Sequence, residues 1–185
     1  MAEHSVIEGL RDLSSIIHKN GSKTVMQINH AGSAASQSVT GYEPVGPSAI
    51  ARPRMDVVPK ELSREAINII IEEFETAALR VKQAGFDGVE IHSAHGYLLN
   101  QFFSPLTNKR ADDYGGEVLG RIKIHLEIIK AVREVVGPDF PILLRLGASD
   151  YTEGGTTIED SVIAALEFER AGVDMLDISG GGLWL

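Results

Sequence analysis

Four times along this chain an amphipathic helix pattern runs into a short apolar stretch, and that repeat limits the architectures open to it. Val6, Leu10, Leu13 and Ile17 recur at helical spacing, Asn20-Gly21 supplies a C-terminal stop, and residues 24–28 read as a buried strand. Ile67, Ile70, Ile71, Phe74, Ala78 and Val81 form a second stripe, opened by Ser63 as N-cap and closed near Gly85, ahead of Val89-Glu90-Ile91. The third unit carries Ile124, Ile128, Ala131, Val132 and Val135 on one helix face, stops at Gly137-Pro138 and continues into the strand 141–146. In the fourth, Thr157 and Asp160 have the spacing of a cap, and Val162, Ala165 and Leu166 are expected to face inward. Ala171-Gly172 ends that helix and 175–178 is its strand.

Strands separated by helices pair in parallel through right-handed crossovers, which predicts an α/β fold with its sheet covered on both faces. Barrel and open sheet both satisfy that pattern. No Gly-x-Gly-x-x-Gly or Gly-x-x-x-x-Gly-Lys loop follows a strand, so the nucleotide-binding open sheets lose support and the barrel is favoured. A barrel keeps its site where strands end, and Gln27, His30, His92, His95, Arg145, Asp177 and Ser179 all fall there. Two long segments, 31–60 and 96–116, are expected to be binding loops, while the mixed charges of 109–113 are expected to form a solvated loop with internal pairing.

Seventeen basic residues against 26 acidic ones give a net charge of -9, which argues against a phosphate backbone as partner. No apolar run approaches the roughly 20 residues of a bilayer span, and the first residues lack a signal-peptide pattern, so a cytoplasmic location is expected. The chain has no cysteine, which removes thiolate nucleophiles and cysteine-held zinc or iron–sulfur clusters. A length of 185 residues fits one domain, 1–185.

Chemistry concentrates in residues 89–97, where an apolar strand delivers His92, His95 and Tyr97 into one short turn freed by Gly96. Two imidazoles three residues apart lack a third metal ligand, so no metal site is expected there.

Gly85-Phe86-Asp87-Gly88-Val89-Glu90-Ile91-His92, His95-Gly96-Tyr97-Leu98-Leu99-Asn100-Gln101-Phe102, Ser104-Pro105-Leu106-Thr107-Asn108-Lys109-Arg110 and Tyr114-Gly115-Gly116 resemble the Old Yellow Enzyme family of FMN-dependent ene-reductases. Residues 27–32 resemble that family's third-strand motif and 176–181 its sixth strand. The resemblance implies a parallel (β/α)8 TIM-type barrel of which this chain covers about strands 3 to 6. It also implies FMN at the C-terminal face, NADH or NADPH as reductant and an activated alkene as substrate. His92 and His95 match the pair that hydrogen-bonds the substrate's carbonyl or nitro oxygen, and Tyr97 matches the proton donor to the α-carbon. Gln27 matches the amide that reads the flavin's pyrimidine edge, and Arg145 the guanidinium beside it. The chain departs from the family at Ser33, where Arg is usual, and across Glu117-Val118-Leu119-Gly120-Arg121, where Ser-Leu-Glu-Asn-Arg is usual.

A flavin-free barrel lyase or aldolase would carry an unpaired lysine on a strand, and the four strands hold none. The other alternative is an inactive barrel fragment or assembly module without FMN binding. A four-stranded piece is expected to expose two edge strands and an apolar barrel interior, to bind FMN poorly and to be oligomeric or unstable.

Overall fold

The computed structural model describes residues 2–51 and 56–181; part of the long segment 31–60 and the end of the glycine run from Gly182 onward lie outside the described residues. Four parallel strands, β1 (Val25–Ile28), β4 (Gly88–Ser93), β5 (Ile142–Gly147) and β6 (Met175–Ser179), lie side by side in that order. The helices α1 (Ala2–Lys19), α3 (Arg64–Gln83), α6 (Lys123–Val136) and α7 (Ile158–Ala171) supply the crossovers. The caps sit where the sequence predicts them. Ser63 Oγ accepts from Ala66 N and Thr157 Oγ1 from Asp160 N, at 3.2 Å each. Gly172 (φ 106) ends α7 in the left-handed conformation that a side chain resists.

Strand alternation splits the sheet into two unlike faces. Val89, Ile91, Ile142, Leu144 and Leu146 are buried under α3 and α6 together with Ile67, Ile70, Phe74, Ile124, Ile128 and Val132. The opposite face carries Gln27, Glu90, His92, Arg145 and Asp177, with register pairs Gln27–Glu90, His92–Arg145 and Arg145–Asp177. The expectation of an apolar interior holds for the lower rows, where Val25, Leu143 and Met175 share this face, and is corrected for the upper rows, which charged and amide groups occupy. Apolar groups are left in the open at Val25 and Met175 on this face of the outer strands, and on the helix side at Ile178 and at Val162 and Leu166 of α7.

Two predicted helix faces are also corrected. On α1 the inward row is Ile7, Leu10, Ser14 and Ile17, with Val6 and Leu13 exposed, and Ser14 Oγ donates to Ala84 O at 2.8 Å. On α7 the buried residues are Ser161, Ala164 and Phe168, while Val162 and Leu166 face out. Small residues at 161 and 164 let the helix approach β5, where Ser161 Oγ donates to Ala148 O at 2.7 Å. A helix with apolar groups on two faces does not reveal by periodicity which of them turns inward.

The two long segments contain structure of their own. Segment 31–60 holds a 3-10 turn (Gly32–Ala34), α2 (Gln37–Thr40) and β2 (Val45–Gly46), which pairs in parallel with β3 (Lys60–Glu61). Segment 96–116 is only partly a loop, since it contains α4 (Leu98–Phe103), all six residues of which are buried. A further turn, α5 (Val118–Arg121), precedes α6. The solvated reading of 109–113 holds at Lys109, Ala111 and Asp113 but fails at Arg110, whose side chain is 6% exposed, grips Asp112 at 2.7 and 2.9 Å and donates to Pro47 O and Leu62 O. The pairing is internal as predicted, but it welds the two long segments together.

Candidate functional site

β4 is tethered on its helix side by Ser93, whose hydroxyl meets His125 Nε2 of α6 at 2.8 Å. His125 is fully buried, stacked on Phe168 at 5.4 Å, and burial pushes its pKa down to about 3. Beyond Ser93 the chain takes two consecutive left-handed residues, His95 (φ 57) and Gly96 (φ 72). Such a conformation is costly for a residue with a Cβ and is held here by surrounding bonds. Asn100 Oδ1 accepts from Gly96 N and Gln101 Nε2 donates to Gly96 O, both at 2.7 Å. Gln101 Oε1 also accepts from Ser33 N at 3.1 Å, and a Cβ on Gly32 would stand 2.6 Å from that oxygen. Asn100 and Gln101 are thus positioning groups that the strand-end search passed over, because they lie on a buried helix rather than at a strand terminus.

The result is a cluster of three rings. His92 lies edge-on to His95 and to Tyr97, with ring centroids 5.2 Å apart in both cases. His92 is buried, and its Nδ1 accepts from Ala94 N at 3.3 Å, which leaves the proton on Nε2. Burial first, then the neighbouring His95 and Arg145, hold its pKa down to about 4, so the ring is a neutral donor at physiological pH. Tyr97 is half-buried, with no hydrogen bond to its hydroxyl among the described residues.

Arg145 stands beside His92 in the sheet, and its Nε is buried without a hydrogen-bond partner, 3.5 Å from Asp177 Oδ2. Gln27 lies on the same face but across β4, where its Nε2 donates to Glu90 Oε2 at 2.6 Å. Glu90 is a carboxylate to which the sequence reading gave no role. His30 makes no ring contact with the cluster: its Nδ1 accepts from Gly32 N at 3.0 Å, its carbonyl accepts from Leu98 N at 3.0 Å, and its side chain shares a pocket with Glu73 and residues 40–45. Burial lowers its pKa, partly offset by Glu73.

The neutral histidines predict a pH dependence. An imidazole in the unfolded chain titrates near 6.5, whereas His92 and His125 titrate in the fold at about 4 and about 3. As pH falls below about 6.5 the unfolded chain takes up protons that the folded chain refuses. Stability is therefore fully present above that pH and lost toward pH 4, at up to about 1.4 kcal/mol per pH unit for each ring. Urea unfolding at pH 7.0, 6.0 and 5.0 checks this, with a shallower loss expected for His125→Leu; equal slopes in the two proteins would count against it.

A sequence profile described as the NADH:flavin oxidoreductase / NADH oxidase family matches residues 1–183. The chain belongs to that family. An NADPH dehydrogenase of Listeria welshimeri is 46% identical over 177 residues, which are 96% of this chain and 51% of that protein. The chain thus spans about half the length of this relative. A 2-naphthoyl-CoA reductase in complex with 2-naphthoyl-CoA superposes with a TM-score of 0.91 at 34% identity, over 96% of this chain and 29% of that one. The Old Yellow Enzyme homologue from Zymomonas mobilis superposes with a TM-score of 0.85 at 28% identity, over 93% and 52%. The sheet and helices described above are accordingly part of a TIM-type barrel, and the cofactors that membership implies are FMN and a nicotinamide reductant.

Proposed function

We propose that this chain carries the substrate-oxygen and proton-delivery part of the active site of an FMN-dependent NAD(P)H oxidoreductase that reduces activated alkenes. The observation that supports this best is the ring cluster at the end of β4, where neutral His92 holds a free Nε2 proton beside His95 and Tyr97. FMN, when bound, supplies to the alkene's β-carbon a hydride obtained from NADH or NADPH. Arg145 and Gln27 would hold the flavin, and both fit that task. The unsatisfied Arg145 Nε needs an acceptor, and the Gln27 carbonyl is open while its amide is shared with Glu90.

His92 and His95 donate to the carbonyl or nitro oxygen conjugated with the alkene. Negative charge grows on that oxygen as the β-carbon is reduced, and donors already fixed by the fold stabilise it without reorganising. Tyr97 then passes its phenolic proton to the α-carbon as general acid.

The test uses a flavin-loaded chimera in which residues 6–181 replace the matching half of the Listeria relative. His92→Ala is expected to slow reoxidation by an enone about a hundredfold, the loss of roughly 3 kcal/mol for one oxyanion donor, and to weaken binding of a simple phenol. Reduction by NADPH stays near its original rate. Unchanged phenol affinity together with unchanged enone turnover would overturn the reading.

A further inference from the structure

His95 Nε2 lies 2.7 Å from Ser179 Oγ, at the end of β6, two strands away from β4 in the sheet. The intervening β5 carries Gly147 at that level, in register with Ser179, and so presents no side chain between them. A Cβ at 147 would already stand 3.1 Å from Asn100 Nδ2 and 3.3 Å from Ala94 Cα. Ser179 itself is pinned, since its carbonyl accepts from Ala148 N at 2.9 Å. Its hydroxyl has no second hydrogen-bond partner among the described residues, so its proton is available to the imidazole.

We infer that Ser179 is a positioning residue that donates to His95 Nε2 and thereby keeps the imidazole proton on Nδ1, the nitrogen left to face the substrate oxygen. The inference rests on the reading of His95 as an oxygen donor. With the hydrogen bond reversed, Nε2–H would donate to the serine and Nδ1 would aim a lone pair at a developing negative charge, which repels it. The two histidines are then set as a matched pair of opposite tautomers. A backbone N–H at Ala94 fixes His92 as Nε2–H, and a hydroxyl at Ser179 fixes His95 as Nδ1–H. At its left-handed backbone position the His95 ring touches His92 edge-on at 5.2 Å and reaches that hydroxyl across β5.

The tautomer can be read directly from two-bond 1H–15N correlation spectra of the full chain labelled with 15N-histidine. Wild-type His95 is expected to carry its proton on Nδ1. Ser179→Ala removes the donor, and the ring relaxes to the Nε2–H form that free imidazole side chains favour, whereas Ser179→Thr keeps a hydroxyl and keeps Nδ1–H. In the flavin-loaded chimera Ser179→Ala should slow enone reduction about tenfold, with Ser179→Thr restoring most of it, the scale expected when a group that fixes a histidine tautomer is lost. An Nε2–H ring in the wild type overturns the inference without any variant having to fold, and so does an unchanged spectrum in Ser179→Ala. A chimera with the predicted tautomers and no reaction with enones would sink the alkene-reductase reading instead, and leave the serine–histidine device in place.

Discussion

Tyr97→Phe is expected to uncouple the two halves of catalysis, slowing flavin reoxidation by an enone about 10²- to 10⁴-fold while reduction by NADPH continues nearly unchanged. The substitution removes one oxygen and keeps the ring, so the edge contact with His92 at 5.2 Å and the N-cap position of α4 are retained. Its hydroxyl bonds no other group among the described residues, so its loss leaves no buried partner stranded and gives little cause for a change in stability. Whatever slows must therefore belong to the proton step. Stopped-flow traces of the two half-reactions separate the cases, because a positional effect would slow both or shift KM alone, whereas a lost acid slows only the oxidative half. An enone rate equal to that of the unsubstituted chimera would mean that the α-carbon proton comes from elsewhere.

The turn that carries Tyr97 is legible in the sequence, since the strand ending at His92 and the break at Gly96 are local features that residue type alone announces. The same holds for the caps at Ser63, Thr157 and Gly172, which depend on one or two neighbouring residues. What escaped was everything settled between distant segments. Arg110 looks like one charge in a mixed run, yet it is buried by carbonyls 48 and 63 residues away. Val162 and Leu166 fit an inward stripe as well as Ser161 and Phe168 do, and only the fit against β5 and His125 chooses between them. Glu90 and Ser179 acquire their meaning from register, which places one against Gln27 and lets the other reach His95. The departure at Gly120 also becomes intelligible, because a Cβ there would lie 2.1 Å from Gly115 O.

The 185-residue polypeptide on its own is expected to associate into dimers or larger species and to hold FMN more weakly than about 10 μM. A small-molecule site normally encloses 70–90% of its ligand, whereas Gln27 and Arg145 lie on one open face of a four-stranded sheet, and the Gln27 amide is already shared with Glu90. Contact from a single side supplies hydrogen bonds but little burial, so most of the flavin ring stays in water. Association follows from the groove of about 380 Å³ between α7 and β6, lined by Val162, Ala165, Leu166, Val173, Met175 and Leu176, with Ile178 nearby on the same outer strand. Val162, Leu166, Met175 and Ile178 are each about half exposed, and covering the remainder is worth about 1 kcal/mol apiece. Two copies would gain roughly 8 kcal/mol, from which the cost of association takes about 4 kcal/mol or more, so self-association is expected toward about millimolar concentrations. Size-exclusion chromatography with light scattering, run beside an FMN titration, measures both quantities. Leu166→Lys with Ile178→Lys should return the chain toward a monomer without improving flavin binding, because those side chains lie on the helix side of the sheet, away from Gln27 and Arg145. A stable monomer that binds FMN below 1 μM, within the tight range usual for a resident cofactor, would show that this one sheet face suffices as a flavin site.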